Sequence, residues 1–279
     1  METRLPESSK LAFIGCGVMA ESMIAGLLRK EIVSPLQIVA SHPRSDRRRE
    51  LSEKYGIQAY EQNADAVKAI PESGTVILCV KPQRINSVFN DLKGAVRPEQ
   101  VVISIIAGAT LDKISTALSN RLVVRAMPNT PSQIGAGMTA WTCSESVDGA
   151  HQMQVRTMLS ALGKELLVET ENIIDMATSL SATGPTYIFM VMEAMTDAGV
   201  HLGFSRETAK ELVQQTMLGS VLFALESNKH PAELRNMVTS PGGTSAEAIY
   251  QMEKGTLRTV LSKAIHAAYK RAVELGKRD

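Results

Sequence analysis

The sequence predicts an α/β chain, with a doubly wound, mostly parallel sheet over residues 1–170 and an all-helical segment over 171–279. Three observations carry this. Short apolar runs alternate with helical stretches through the first half. A glycine-rich turn closes the first of those runs. Strand signals stop after about Glu171, and helical periodicity takes over to the end.

Leu11 to Gly15 is a short apolar run ending in glycine, and Glu21 to Lys30 follows with helical spacing. Leu36 to Ser41 reads as a second strand and Ser45 to Tyr55 as a highly charged helix. Thr75 to Val80, Val101 to Ser104 and Arg121 to Ala126 are further continuous runs. Strands of that kind are buried on both faces, as in a parallel sheet. Met138 to Cys143 and Glu165 to Glu169 form a last β pair around a helix over Gln152 to Leu162. In the helical half, Ile188 to Met195 is apolar nearly all round, with only Glu193 charged. Such a helix is expected to be buried on every side. We therefore read this half as a domain that packs against a copy of itself.

Composition narrows the function. The chain has 279 residues, which suits two domains of ordinary size. Its net charge is +1 and its aromatic content 4 %, so neither nucleic acid nor an anionic membrane is an expected partner. Cys16, Cys79 and Cys143 are far apart, and neither they nor the histidines show metal-ligand spacing. The expectation is a metal-free protein of a reducing compartment. Met1 to Lys10 has no apolar targeting core, and no apolar run approaches the roughly 20 residues that span a bilayer. The expected location is cytoplasmic.

Gly15-Cys16-Gly17-Val18-Met19-Ala20 fits G-x-G-x-x-[G/A] between the first strand and a helix. Gly15 allows the sharp turn, Gly17 leaves room for a pyrophosphate, and Ala20 lets the helix sit close to the sheet. The helix start offers free N–H groups and a positive dipole end. This predicts a Rossmann-like dinucleotide site. An Asp or Glu that binds the ribose hydroxyls usually ends the second strand. Here that place holds Ser41 and Arg44, with Arg47 and Arg48 beyond and no acid before Asp46. A hydroxyl and a guanidinium suit a 2′-phosphate. NADPH is thus expected, with NADH as the second choice. For Arg47 to Arg49 the competing reading is the solvated face of a helix.

Four later stretches point to a family: Val80-Lys81-Pro82, Arg125-Ala126-Met127-Pro128-Asn129-Thr130-Pro131, Ser181-Ala182-Thr183-Gly184-Pro185-Thr186-Tyr187, and Val238-Thr239-Ser240-Pro241-Gly242-Gly243-Thr244-Ser245. With the glycine loop, and in that order, the chain resembles the pyrroline-5-carboxylate reductases over nearly its whole length. The resemblance implies a Rossmann domain, a helical C-terminal domain and an interleaved homodimer with active sites at its interface, often assembled into a decamer. It implies hydride transfer from NAD(P)H to the C=N carbon of a small imino acid, 1-pyrroline-5-carboxylate, giving L-proline. It assigns cofactor contact to Asn63, Val80, Lys81, Pro82 and Ala107, and substrate contact to Thr183 and Glu171. Glu171 reads equally as a charge at a helix start, and Asn129 and Thr130 as a turn. Ala182, Thr183 and Ser245 depart from the family's usual Gly, Ser and Thr.

Ser240-Pro241-Gly242-Gly243 is a turn signal leading into Thr244-Ser245-Ala246-Glu247, which fits a capping box with Thr244 as cap. N–H groups near Gly243, Thr244 and Ser245 would attract the substrate carboxylate. A capping box, however, uses up some of those donors. We expect Thr244 to cap and Ser245 to turn its hydroxyl to the substrate nitrogen. Ser245, Thr244 and Glu171 are the expected catalytic groups, and Gly242 and Gly243 the expected substrate cradle. Two alternatives remain open: a keto- or hydroxy-acid reductase with Lys81 as proton donor, and an inactive NADPH sensor. His230 reads as a helix-start residue, Met190, Met192 and Met195 as packing, and Cys79 as an inert buried thiol.

Overall fold

A computed structural model describes residues 4–277. It divides the chain into two compact units, one running to Thr183 and resuming at Ala268, the other spanning Gly184–Ala267.

The first unit contains β1 (Leu11–Ile14), α1 (Val18–Arg29), β2 (Ile38–Ser41), α2 (Ser45–Tyr55), β3 (Gln58–Tyr60), α3 (Asn63–Lys68), β4 (Thr75–Leu78), α4 (Ile85–Leu92), β5 (Val101–Ser104) and α5 (Leu111–Leu118). It continues through β6 (Val123–Met127), β7 (Gly137–Cys143), α6 (Gly149–Ser160), β8 (Gly163–Leu167) and α7 (Glu171–Ala177). One sheet runs β3-β2-β1-β4-β5-β6-β7-β8. Only the β6–β7 pairing is antiparallel. The order reverses between β1 and β4, the topological switch where open α/β sheets bind ligands. The register pairs Ile14 with Ser41 on one side and Leu78 on the other, so β1, β2 and β4 end at the same sheet edge.

The apolar runs become strands buried on both faces, as expected. Leu11 and Phe13 belong to one core cluster, Ala12 and Ile14 to the other. That split follows from the period of two along a strand. Two details differ from the expectation. The second strand starts at Ile38, because Pro35–Gln37 forms a 3₁₀ turn closed by a Ser34/Gln37 capping box, with Leu36 exposed. The edge strand β3 has three residues and no buried one, so it carries no hydrophobic signal.

The division at Thr183 falls beyond the 170/171 boundary expected from the sequence. The reason lies in Arg125. This guanidinium is only 1 % exposed within β6, and both its carboxylate partners, Glu171 and Asp175, stand on α7. A buried charge needs partners, so α7 stays with the sheet.

The second unit holds α8 (Gly184–His201), α9 (Arg206–Ser227), α10 (Pro231–Met237), α11 (Thr244–Lys254) and most of α12 (Leu257–Gly276). α8 and α9 pack so closely at Gly199 that an added Cβ would lie 2.9 Å from the Ala209 Cβ. Here the expected burial fails within one chain. α8 has no buried residue, and Ile188, Phe189 and Met190 are 49 % to 64 % exposed. Among the described residues Ala209 and Val213 are this unit's only buried hydrophobics. Apolar surface of that extent on a unit with so small a core marks an interface. Among the described residues no helix is long and apolar enough to cross a membrane.

Candidate active site

The glycine loop leaves β1 at Ile14. Gly15 has φ +83°, and a Cβ there would fall 2.2 Å from the Val80 Cγ1. Both the backbone and the β4 end therefore demand glycine. The Cys16 N–H donates to the Ser41 carbonyl at 3.1 Å, tying the loop to β2. Gly17 caps α1 with no side-chain bond, and a Cβ on it would meet nothing within 4 Å. The protein's own packing does not fill this space. The first-turn N–H groups of Val18 and Met19 have no preceding helical carbonyl to bond. Open space beside bare helix N–H groups fits a pyrophosphate. Ala20 is fully buried, which sets α1 close to the sheet.

At the β2 end the residues divide their tasks. Ser41 is fully buried, and its hydroxyl donates to the Asn63 Oδ1 at 2.7 Å and accepts from the Gly15 N–H at 3.4 Å. It braces the loop and Asn63 rather than turning outward to a phosphate. Asn63 in turn donates to Asp91 at 2.9 Å. Arg44 caps the start of α2 with its side chain 67 % exposed, and its nearest acid, Asp46, stands 3.6 Å away. Arg48 donates to the carbonyls of His42 at 2.9 Å and Pro43 at 2.8 Å, holding the turn that presents Arg44. Partial burial, with Arg44 and Arg47 nearby, pushes the His42 pKa down. Arg47 departs from the solvated-face reading: it is buried and reaches back to the Cys16 carbonyl and Glu21.

The ends of the neighbouring parallel strands continue the same edge. Val80 and Lys81 follow β4, and Lys81 caps a 3₁₀ turn beginning at Pro82. Ala107 follows β5 and packs against the small buried cluster of Met127, Ala140, Val168 and Ile174. Beside it Gly108 has φ +78°, and a Cβ there would lie 2.6 Å from the Leu275 backbone. Asn129, after β6, bridges: its Oδ1 accepts the Met138 N–H at 2.9 Å and its amide donates to the Ser181 carbonyl at 3.3 Å. Thr183 turns its hydroxyl back onto the Thr178 carbonyl at 2.8 Å, closing a π-helical turn over Thr178–Ala182. One Glu171 oxygen accepts from both Arg125, at 3.0 Å, and the Leu111 N–H, at 2.8 Å. The thiols near this edge are inert. Burial pushes Cys16 up to about 12 and Cys79 well above its ordinary value.

In the second unit, Gly243 donates to the Ser240 carbonyl at 3.0 Å and Gly242 has φ +69°. The helix α11 begins at Thr244 with Gly243 as its cap and no side-chain cap bond. The expected capping box is therefore absent. Thr244 lies one position inside the helix, and Glu247 instead accepts from Gln251 at 3.0 Å. A cap without a side chain leaves the N–H groups of Thr244 and Ser245 for an outside anion. The conflict between capping and binding is thereby removed. A Cβ on Gly243 would sit 2.5 Å from the Ser240 Oγ and 3.2 Å from the Ser240 carbonyl oxygen, so a side chain there would displace Ser240. Ser245 is half-buried and Thr244 exposed.

Comparison with known proteins identifies the family. Residues 171–275 match the family model described as pyrroline-5-carboxylate reductase dimerisation. Residues 10–108 match that of NADP oxidoreductase, coenzyme F420-dependent. The chain is 41 % identical to pyrroline-5-carboxylate reductase of Pseudomonas aeruginosa, covering 96 % of this chain and 97 % of that one. It is 35 % identical to the Escherichia coli enzyme of the same name, covering 96 % and 98 %. The NADP-bound pyrroline carboxylate reductase of Plasmodium falciparum superposes with a TM-score of 0.88 at 27 % identity, covering 97 % and 99 %. A Coxiella burnetii pyrroline-5-carboxylate reductase gives 0.85 at 36 % identity, covering 97 % and 100 %. With two relatives above 30 % identity along nearly its full length, the chain belongs to the pyrroline-5-carboxylate reductase family.

Proposed function

We propose that this chain reduces 1-pyrroline-5-carboxylate to L-proline with NADPH, the closing step of proline synthesis. The observation that carries the reading is the glycine-capped start of α11. Its free N–H groups at Thr244 and Ser245 follow a turn in which a side chain at Gly243 would press on Ser240. That is a receptor for a small carboxylate. A tight glycine loop with open space at Gly17 supports the nucleotide half of the reading.

Bound NADPH supplies a hydride to the C=N carbon. The chain's residues bind and orient. Val18 and Met19 offer N–H groups to the pyrophosphate, and exposed Arg44 offers a guanidinium to the 2′-phosphate. Since Ser41 is turned inward, the discrimination against NADH falls on Arg44. Thr244 and Ser245 hold the carboxylate, and the Ser245 hydroxyl accepts the N–H of the protonated imine. An imine already protonated is the better electrophile and needs no acid at the moment of hydride arrival. The site's contribution is then orientation and exclusion of water. One oxygen of Glu171 is engaged by both Arg125 and the Leu111 N–H, so we assign Glu171 to holding the start of α5 rather than to the imine.

The exposed apolar faces of α8 and α9 support a homodimer, in agreement with the dimerisation model matched over 171–275. Sedimentation of the 30.2 kDa chain separates a dimer from a decamer of five dimers. The three free cysteines suit a reducing compartment. The direct test is NADPH oxidation followed by the loss of reduced-nicotinamide absorbance, with 1-pyrroline-5-carboxylate added. Turnover to proline is expected, and NADPH binding without turnover would overturn the assignment.

A further inference from the structure

Arg47 stands in a run of arginines on a charged helix, yet its side chain is only 10 % exposed. Its Nε donates to the Cys16 carbonyl at 3.3 Å, in the middle of the glycine loop. Its two terminal nitrogens pair with Glu21 and, at 2.7 Å, with Glu50. Glu21 lies in the first turn of α1, where its own N–H bonds the Gly17 carbonyl at 2.9 Å. A carboxylate so near a phosphate-binding helix start would ordinarily repel the ligand. Here it is drawn aside by three donors: Arg47, Lys54 at 2.8 Å and Tyr55 at 2.7 Å.

We infer that Arg47 is a positioning residue for the dinucleotide, setting the glycine loop through the Cys16 carbonyl and masking the Glu21 charge, with no contact to the 2′-phosphate. The inference rests on the nucleotide reading of the glycine loop. Two effects follow from its loss. The Cys16 carbonyl loses a charged donor, which frees the turn before Gly17. Glu21 loses its strongest counter-charge and faces the pyrophosphate. Both act on the part that NADPH and NADH share. Arg44, by contrast, acts only on the 2′-phosphate.

The test measures Kd for NADPH and for NADH by nicotinamide fluorescence in the full-length wild type, Arg47→Gln, Arg47→Lys and Arg44→Ser. Arg47→Gln should weaken both cofactors by the same factor, about tenfold or more, the worth of a charged hydrogen bond. The KM for 1-pyrroline-5-carboxylate should stay as it was. Arg44→Ser should weaken NADPH alone. Adding Glu21→Gln to Arg47→Gln should restore part of the affinity, because the uncovered charge is gone. A merely structural Arg47 would give no such rescue. If Arg47→Gln does not fold, Arg47→Lys decides, with an equal and smaller loss for both cofactors expected. Unchanged affinity in either variant, or a loss confined to NADPH, would overturn the inference. A wild type that binds neither cofactor would instead defeat the nucleotide reading on which it rests.

Discussion

The guanidinium of Arg125, within strand β6, donates to the Glu171 carboxylate at 3.0 Å, and the same oxygen accepts the Leu111 N–H at 2.8 Å. One carboxylate thus joins β6, α7 and the start of α5, the helix that follows the Ala107 loop. Asp175 completes the pairing at 2.6 Å. Arg125 is 1 % exposed, while Glu171 and Asp175 keep 29 % and 19 % of their side-chain surface.

Arg125→Met should therefore destabilise the protein by about 3 kcal/mol, the lower range for breaking a buried pair, because both abandoned carboxylates can reach water. Denaturant melts of wild type and variant measure it. Glu171→Gln keeps an acceptor for Leu111 and leaves Asp175 on Arg125. It should lose about 1 kcal/mol and leave the KM for the imino acid unchanged. A large rise in that KM would restore Glu171 to the substrate.

The acid limb of stability should involve Glu21. Partial burial pushes its carboxyl up, but hydrogen bonds from Arg47, Lys54 and Tyr55 outweigh this and hold it at about 2, below the ordinary 4.5. A depressed carboxyl stabilises the fold above its unfolded pKa and loses that contribution as pH falls through the folded one. The window is thus from about pH 4.5 down to about 2, and the contribution is on the order of 3 kcal/mol. Glu21→Gln should flatten the fall in melting temperature across that window and lower the plateau above pH 5. Parallel curves for the two proteins would contradict it.

Much of this fold was legible because parallel strands are continuous apolar runs and because Gly15, Gly17 and Ala20 carry steric meaning. The missed β3 has no buried residue to announce it. The role of Arg47 was hidden in its neighbours: nothing in Arg47-Arg48-Arg49 tells which side chain turns inward, since that depends on Glu21 and Tyr55 from distant positions. Arg125 did leave a signal, a lone charge in an apolar strand, which demands carboxylate partners without saying which. Thr244 was misplaced by one position because Gly243 and Thr244 are both good caps, and helix boundaries shift by that much. The burial of α8 was overstated for one chain because a periodicity cannot distinguish a core from an interface.

Ser245 should matter through its hydroxyl alone. Ser245→Ala should lower kcat/KM for 1-pyrroline-5-carboxylate by about tenfold, the worth of a hydrogen bond to a charged nitrogen. NADPH affinity should hold. Ser245→Thr supplies the residue usual in the family, and its branched side chain restricts the rotamer. It should match or exceed the wild type. A Thr variant as poor as the Ala variant would mean that the hydroxyl does not meet the nitrogen.

Gly243 offers the sharpest test of the carboxylate cradle. A Cβ there meets the Ser240 Oγ at 2.5 Å and the Ser240 carbonyl at 3.2 Å. Gly243→Ala must therefore shift Ser240 or open the turn, and opening the turn moves the N–H groups of Thr244 and Ser245. Because φ at Gly243 is −81°, the backbone itself accepts an L-residue, and the helix should still form. The expected result is a folded protein of nearly unchanged melting temperature. Its KM for the imino acid should rise by about tenfold to a hundredfold, the loss of one or two charged hydrogen bonds. Gly243→Val should be worse in the same parameter. NADPH titrations should be indistinguishable from wild type, since the glycine loop lies elsewhere in the chain. Kinetics unchanged in both variants would place the carboxylate away from this turn and end the substrate assignment.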